Sequence, residues 1–137
     1  MREIKFRAWD TSRKKMWSAE QMGADELTLN PDGRGFVNVS SASQRLSQYM
    51  SHMIPLQFTG LKDRNGREIY EGDIVRTTSI MDEVIFGDVV WDEDGFQYAV
   101  DIGCELMEFH NIIHTEKTVE VIGNIYENPE LLHDTQS

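Results

Sequence analysis

The chain has 137 residues, of which 39% are hydrophobic and 27% charged, the size of one domain or two very small ones with enough apolar residues for a core. Thirteen Lys and Arg against twenty-four Asp and Glu give a net charge of -11, which argues against sequence-independent binding to a phosphate backbone. The single cysteine, Cys104, excludes an internal disulfide framework and a cysteine-based zinc cage. No apolar run approaches the roughly 20 residues that cross a bilayer, and the first residues lack the apolar core of a secretory signal. We therefore expect a soluble, cytoplasmic protein.

The charge is unevenly distributed along the chain. Residues 1–50 contain eight basic and six acidic side chains, whereas residues 51–137 contain five basic and eighteen acidic ones. Near the start, only Glu3 and Asp10 oppose a basic group that consists of Arg2, Lys5, Arg7, Arg13, Lys14 and Lys15. This asymmetry predicts self-complementary packing between copies or between halves, and ordinary solvated faces are the alternative.

The first 54 residues read as short strands separated by polar turns. The predicted strands are 4–9, 15–18, 26–29 and 36–39, and the first of them alternates with a period of two, as a strand with one buried face does. Residues 18–21 favour a helical turn or a loop. Leu46, Met50, Met53 and Ile54 stand at helical spacing in a Ser/Gln-rich stretch, which favours a short helix, with a surface loop as the alternative.

From Pro55 onward the strand signal is stronger. The predicted strands are 56–59, 67–70, 74–78, 84–91, 96–100 and 119–126, with 108–115 undecided between strand and helical turn and a final helical turn at 128–132. Asn65-Gly66 is the favoured pair for a type I′ hairpin turn, in which both residues have positive φ. Gly87 predicts a bulge or bend in the strand that contains it.

These elements predict an α+β protein that is mainly β. The economical way to close such strands is a small, bent antiparallel barrel, SH3-like or OB-like, over residues 55–132. Residues 1–54 would form a smaller β or α+β part with a variable segment, and residues 133–137 a frayed tail.

Two clusters could hold a metal ion. His110 and His114 stand four residues apart, with Glu108 and Glu116 two residues outside them, and either a helix or a strand could bring these side chains to one zinc ion. The HExxH pattern is absent, and histidines of the surface or core are the commoner case. The run 92–95 (DEDG) resembles a calcium loop, but residue 90 is a valine and strands flank the run, so we interpret it as a hairpin turn. We expect no cofactor.

The first strand offers a candidate nucleic-acid site. Lys5, Arg7 and Trp9 interleave cations and an aromatic ring, as a strip that binds single strands does. The alternative, which the charge of -11 favours, is that the aromatic residues of this strand are core or interface residues. No phosphate-binding loop or nucleophile-elbow motif is present, so no sequence motif supports a nucleotide-dependent enzyme or a hydrolase.

Three segments together resemble the YopX family of bacteriophage and prophage proteins. They are 6–10 (FRAWD), 57–75 (QFTGLKDRNGREIYEGDIV) and 121–132 (VIGNIYENPELL). The resemblance implies a small intracellular phage or prophage protein of Gram-positive hosts, mainly β, with no assigned activity and no catalytic residues. Within the shared motif, the positions that shape backbone turns are Gly60, Asn65, Gly66, Gly72 and Asp73.

We therefore expect a non-enzymatic accessory protein that self-associates and engages a host or phage protein, with an acidic body suited to a basic partner. The alternative is a nucleic-acid-binding barrel that uses Lys5, Arg7 and Trp9. A metal-dependent enzyme built on His110 and His114 is a third hypothesis.

Overall fold

The computed structural model describes residues 3–29, 33–38, 49–50, 52–78, 83–95, 97–103, 106–108 and 118–134. The chain is mainly β. Its contacts divide it into two compact units, a first unit of Ile4–Gln57 and a second unit of Phe58–Ser137 with Met1–Glu3. None of the described helices is long and apolar enough to cross a membrane.

Where it is described, the first unit contains five short strands, one helix and the start of a sixth strand. These elements are β1 (Phe6–Asp10), β2 (Lys15–Trp17), α1 (Ala19–Ala24), β3 (Leu27–Leu29), β4 (Phe36–Asn38), β5 (Tyr49–Met50) and β6 (Met53–Lys62). β1 pairs antiparallel with β2 and with the first half of β6, and β4 lies between β3 and β5. The core contains Ala8, Met22, Phe36 and Met53.

The helix α1 begins at a capping box. The Ser18 hydroxyl accepts a hydrogen bond from the Gln21 N–H at 3.1 Å, and the Gln21 side chain accepts one from the Ser18 N–H at 2.9 Å. Two N–H groups that a helix start would leave unpaired are thereby satisfied. The sequence left helix and loop open here, and the cap explains why a helix forms.

The short helix predicted from the spacing of Leu46, Met50, Met53 and Ile54 is wrong where the chain is described. Met50 belongs to β5, and Met53 and Ile54 belong to β6; Leu46 lies outside the described residues. β5 pairs with β4 in one sheet and β6 pairs with β1 in another, and such tertiary pairing outweighs a helical spacing of four residues.

The second unit is built on one antiparallel sheet. After the second half of β6, its elements are β7 (Glu68–Tyr70), β8 (Asp73–Thr78), β9 (Val84–Asp92), β10 (Gln97–Asp101), β11 (Leu106–Glu108), β12 (Glu120–Asn124) and α2 (Glu130–Asp134). Five strands pair in the order β11-β10-β9-β8-β12, a curled half-barrel. The SH3-like closure expected for residues 55–132 stays a prediction.

Alternation along the strands gives this sheet two faces. Val75, Val89, Val100 and Val121 share the inner face and are at most 5% exposed, and they form the core with Ile69 and its neighbours. Arg76, Thr78, Phe86 and their cross-strand partners share the opposite, outer face. Gly87 does not form the predicted bulge, because the register of β9 with both neighbours runs unbroken. A side chain at Gly87 would overlap the carbonyl oxygen of Asp101, so the glycine serves close packing.

The turn at Asn65-Gly66 differs from the predicted type I′ turn. Gly66 has φ +80, but Asn65 is not among the described residues with positive φ. The Gly66 N–H donates instead to the Asp63 carbonyl, which makes 63–66 a β-turn whose last residue is a left-handed glycine. The Asp63 carboxylate accepts the N–H groups of Asn65 at 2.9 Å and Arg67 at 2.8 Å, and this widens the loop beyond two residues.

The other predicted turn residues lie at bends of the second unit. Gly60 (φ +90) sits where the register between β6 and β7 shifts, and Gly72 (φ +84) joins β7 to β8. The Gly72 N–H donates to the Val89 carbonyl, so the turn is tied to the sheet. Asp73 is 1% exposed, and its carboxylate accepts the Tyr70 N–H at 2.8 Å.

Candidate functional site

The turn between β9 and β10 presents a cluster of carboxylates, Asp92, Glu93 and Asp94, which we call the acidic tip. Asp92 ends β9 opposite Gln97, and its carboxylate accepts the Asp94 N–H at 3.1 Å, which stabilises the turn. Glu93 and Asp94 are exposed. The sequence interpretation of this run as a hairpin turn agrees with this geometry.

An aromatic pair with one exposed member lies next to the acidic tip. Trp91 and Tyr98 are directly opposite each other on β9 and β10, with ring centroids 4.9 Å apart and planes at 74°. Tyr98 is packed against the core, whereas the Trp91 side chain is 41% exposed. An edge-to-face contact with an anchored ring holds an exposed indole in place, and such an indole is the side chain that most often carries binding energy at protein interfaces.

The first unit presents the opposite charge at its own β1–β2 turn. Arg13, Lys14 and Lys15, the basic turn, are all exposed. The Lys15 ammonium lies 4.2 Å from the centroid of the Trp17 ring, a cation–π distance. Lys14 has φ +54, which the tight turn imposes on a non-glycine residue.

The buried carboxylate of Asp10 organises the basic turn. Asp10 is 0% exposed and accepts the N–H groups of Ser12 at 2.9 Å and Arg13 at 3.0 Å, and the Trp17 indole N–H at 3.2 Å. Burial opposes ionisation, but these bonds and the nearby charge of His52 together lower the pKa of Asp10 below its ordinary value. The carboxylate therefore stays ionised at neutral pH.

The candidate nucleic-acid strip lies on β1 and just before it. Lys5 and Arg7 are half-buried, Trp9 is only 6% exposed, and each of the three has an interaction partner. Ala8 is also fully buried, so the end of β1 is covered on both faces rather than on one as expected. The Trp9 ring, as placed here, offers little surface on which a base could stack. The strip stays a prediction.

The candidate metal ligands His110, His114 and Glu116 lie outside the described residues, as does Cys104. Glu108 is the last residue of β11, and the rest of the undecided segment 108–115 lies outside the described residues. Among the residues that the structure describes, no group of three His, Cys, Asp or Glu side chains is placed to hold a metal ion.

A second pair of carboxylates faces outward on the sheet. Asp88 of β9 lies directly opposite Asp101 of β10, and both are half-buried. Burial first, and the charge of Asp101 second, raise the pKa of Asp88. Only the observed β9–β10 register brings the two residues together, because the turn predicted at 92–95 would have placed Ala99, not Asp101, opposite Asp88.

Comparisons with known proteins agree with this architecture. Protein EF1440 from Enterococcus faecalis has a similar crystal structure, with a TM-score of 0.61 and 26% identity over 96% of this chain and 99% of that chain. Protein YopX from Bacillus subtilis is similar in fold, with a TM-score of 0.55 and 22% identity over 96% of this chain and 98% of that chain. No curated protein matches the sequence. The model of the YopX protein family matches residues 5–133, nearly the whole length. The chain therefore belongs to the YopX family.

Proposed function

We propose that the chain is a non-enzymatic binding module, an accessory protein of a phage or prophage, which engages a basic protein in the cytoplasm of the bacterial host. The observation that carries the proposal is the acidic tip beside the half-exposed indole of Trp91. An arginine-rich or lysine-rich surface matches both features at once, since its cations pair with carboxylates and lie over an aromatic face.

The charge distribution supports a basic partner over an acidic one. Residues 51–137 carry thirteen more acidic than basic side chains, so the field around the second unit attracts cations from a distance. Attraction of this kind mainly raises the association rate, and salt screens it. The bound state would then depend on the indole, because exposed ion pairs alone contribute little to affinity.

The test is a pull-down from bacterial lysate with the tagged chain, analysed by mass spectrometry at low and moderate salt, with and without nuclease. The variant Trp91→Ala removes the indole, and Glu93→Lys reverses one charge of the tip. Glu26→Lys is the matched control, because Glu26 is an exposed carboxylate of the other unit. We expect a defined basic protein that is recovered by the wild type and the control but lost with both tip variants.

Three outcomes would overturn the proposal. Recovery of the same protein by Trp91→Ala and Glu93→Lys would show that the acidic tip is not used. Recovery unaffected by salt would exclude an electrostatic interface. Recovery that disappears after nuclease treatment would favour the nucleic-acid alternative at Lys5, Arg7 and Trp9.

A second copy of the chain also offers a basic surface, the basic turn of its first unit. We propose that the basic turn of one copy binds the acidic tip of another, which gives the self-association expected from the charge asymmetry. Such a head-to-tail contact is heterologous, so it generates rings or open chains rather than a twofold dimer.

Charge exchange tests this contact directly. Lys14→Glu and Glu93→Lys are each expected to shift the sedimentation profile at tens of micromolar towards the monomer, and the double variant is expected to restore assembly. A wild type that is monomeric at this concentration would refute self-association. A double variant that fails to recover while both single variants stay folded would refute this pairing of surfaces.

A further inference from the structure

A cavity of about 290 Å³ opens on the outer face of the second unit's sheet. The strand register places its walls: Arg76 of β8 lies opposite Phe86 of β9 on one side and Glu120 of β12 on the other, and Thr78 lies opposite Val84. Directly opposite residues project to the same face of a sheet, so these side chains surround one depression. Its volume is at the lower end of the range for small-molecule sites, about 300–1,000 Å³.

Arg64 reaches the same cavity from the loop between β6 and β7. Its position is fixed by the backbone, because the Arg64 N–H donates to the Val119 carbonyl at 2.8 Å. The neighbouring Asp63 carboxylate accepts the Val121 N–H at 2.9 Å. The loop is thereby attached to the chain around β12 at two successive residues.

Two guanidinium groups share a single carboxylate oxygen at this cavity. Arg76 Nη2 lies 2.9 Å and Arg64 Nη1 lies 3.6 Å from Glu120 Oε2. The three side chains together carry one net positive charge in a chain whose total is -11. Each guanidinium has five N–H donors, and both arginine side chains remain about half exposed, at 53% and 45%.

We propose that this cavity binds a small phosphate monoester with an apolar or aromatic substituent, a ligand class distinct from the basic protein proposed above. The fork of an arginine matches the geometry of phosphate oxygens, and Glu120 holds both forks close together before the ligand arrives. Thr78 adds a hydroxyl group to the wall, so that together with the two guanidinium groups the donors outnumber the two oxygens of a carboxylate ligand and suit the three terminal oxygens of a phosphate.

The apolar side of the cavity accounts for the substituent. Val84 is 59% exposed and Phe86 is half-buried, and both line the cavity beside the arginines. An exposed aliphatic side chain and an aromatic ring next to a cationic site would be covered by an apolar group attached to the phosphate. Inorganic phosphate should therefore bind more weakly than phenyl phosphate.

The test is a titration of the ¹⁵N-labelled full chain with phenyl phosphate, inorganic phosphate and benzoate, in a low-salt chloride buffer. Amide and arginine side-chain shifts around the cavity report the binding. We expect saturable shifts at Thr78 and Thr118, with phenyl phosphate tightest and benzoate weakest. Arg76→Gln should weaken phenyl phosphate roughly ten- to a hundredfold, the loss expected for hydrogen bonds between charged groups.

Glu120→Gln distinguishes a ligand site from a purely structural ion pair. The glutamine oxygen can still accept from the two arginines and hold them together, whereas the negative charge that opposes the phosphate is gone. Phenyl phosphate should therefore bind about fivefold more tightly, the effect of one like charge at close range. Lys62→Gln is the control, because Lys62 is an exposed cation at the end of β6 that does not line the cavity. The affinity of this variant for phenyl phosphate should equal that of the wild type.

Absence of saturable shifts with phenyl phosphate would overturn the proposal, as would tighter binding of benzoate. Unchanged or weaker binding by a folded Glu120→Gln variant would also overturn it, and this readout remains decisive if Arg76→Gln does not fold. Equal weakening by Lys62→Gln and Arg76→Gln would mean that only the overall charge matters.

Discussion

The carboxylate of Asp63 connects two distant parts of the second unit, and its removal should be costly. Asp63 is 3% exposed, and its two oxygens accept three backbone N–H groups, those of Asn65, Arg67 and Val121. Asp63→Ala removes all three acceptor contacts at once.

Each of the three lost hydrogen bonds contributes to the cost. Val121 is 5% exposed, so its N–H would lose a partner without gaining water, at about 1–3 kcal/mol. Asn65 and Arg67 are exposed, so their N–H groups would turn to water, and each lost bond would cost about 0.5–1.5 kcal/mol. The sum is about 2–6 kcal/mol, a large part of the 5–15 kcal/mol typical of a whole domain.

Urea unfolding at pH 7, followed by tryptophan fluorescence, measures this loss. With an m-value of about 2 kcal/mol per molar, the midpoint should fall by about 1–3 M. Hydrogen exchange of the Val121 amide should accelerate as well, which places the loss at the predicted bond. Asp94→Ala is the control, since it removes the same charge from an exposed turn and should change stability by no more than about 0.5 kcal/mol.

An Asp63→Ala midpoint within error of the Asp94→Ala midpoint would refute this reasoning. A lower midpoint with unchanged exchange of the Val121 amide would also count against it, because the destabilisation would then come from the loop alone.

Three further substitutions test other parts of the structure. Asp10→Asn should lower the free energy of unfolding at pH 7 by about 1–3 kcal/mol, because the buried carboxylate accepts three hydrogen bonds, one from the Trp17 indole. Since the pKa of Asp10 in the folded state is lowered, this contribution is present above about pH 4 and is lost as the pH falls through the folded-state pKa. The unfolding curves of the wild type and Asp10→Asn should therefore converge in acid, and curves that stay apart would contradict this cause. Asp88→Asn should raise the free energy of unfolding at pH 7, because burial and the charge of Asp101 raise the pKa of Asp88 and thus make its ionised form unfavourable in the folded state. The gain should disappear below about pH 4, and equal shifts of the melting temperature at pH 7 and pH 3 would refute this cause. Gly87→Ala should lower the free energy of unfolding by about 1–3 kcal/mol, because its Cβ would overlap the Asp101 carbonyl, and an unchanged melting temperature would show that the strands can separate without cost.

Local sequence patterns were sufficient for many elements of the fold. The alternation in β1, the β-branched run of β9 and the acidic turn after it each depend on residues that are neighbours in the chain. Alternation with a period of two and the presence of a turn residue depend only on the backbone conformation of the segment in which they occur. These strands could therefore be located before the structure was known.

The roles of Asp63 and Gly87 could not be predicted in the same way. The partner of Asp63 at Val121 is 58 residues away, and a pattern of neighbouring residues contains no information about that distance. A glycine within a strand is compatible with a bulge and with close packing, and the choice at Gly87 is made by the Asp101 carbonyl on the adjacent strand.

The candidate sites show the same division. The acidic tip was visible in sequence as a turn, but its partnership with an exposed Trp91 held by Tyr98 depends on the β9–β10 register. The Glu120 carboxylate pairs with Arg64 and Arg76, which lie in segments far from it in the chain, so no local sequence motif could indicate this cluster. The residues of such sites come together only in the folded protein and do not form a recognisable sequence motif.

The place of β12 in the sheet also affects synthesis of the protein. β8 lies between β9, which follows it closely in the chain, and β12, which is synthesised only after β9, β10 and β11. Until β12 arrives, β8 is an unprotected edge that can pair with another nascent chain. A chain that stops before residue 120 would keep that edge open permanently, and we expect it to aggregate even though most of its hydrophobic core has already been made.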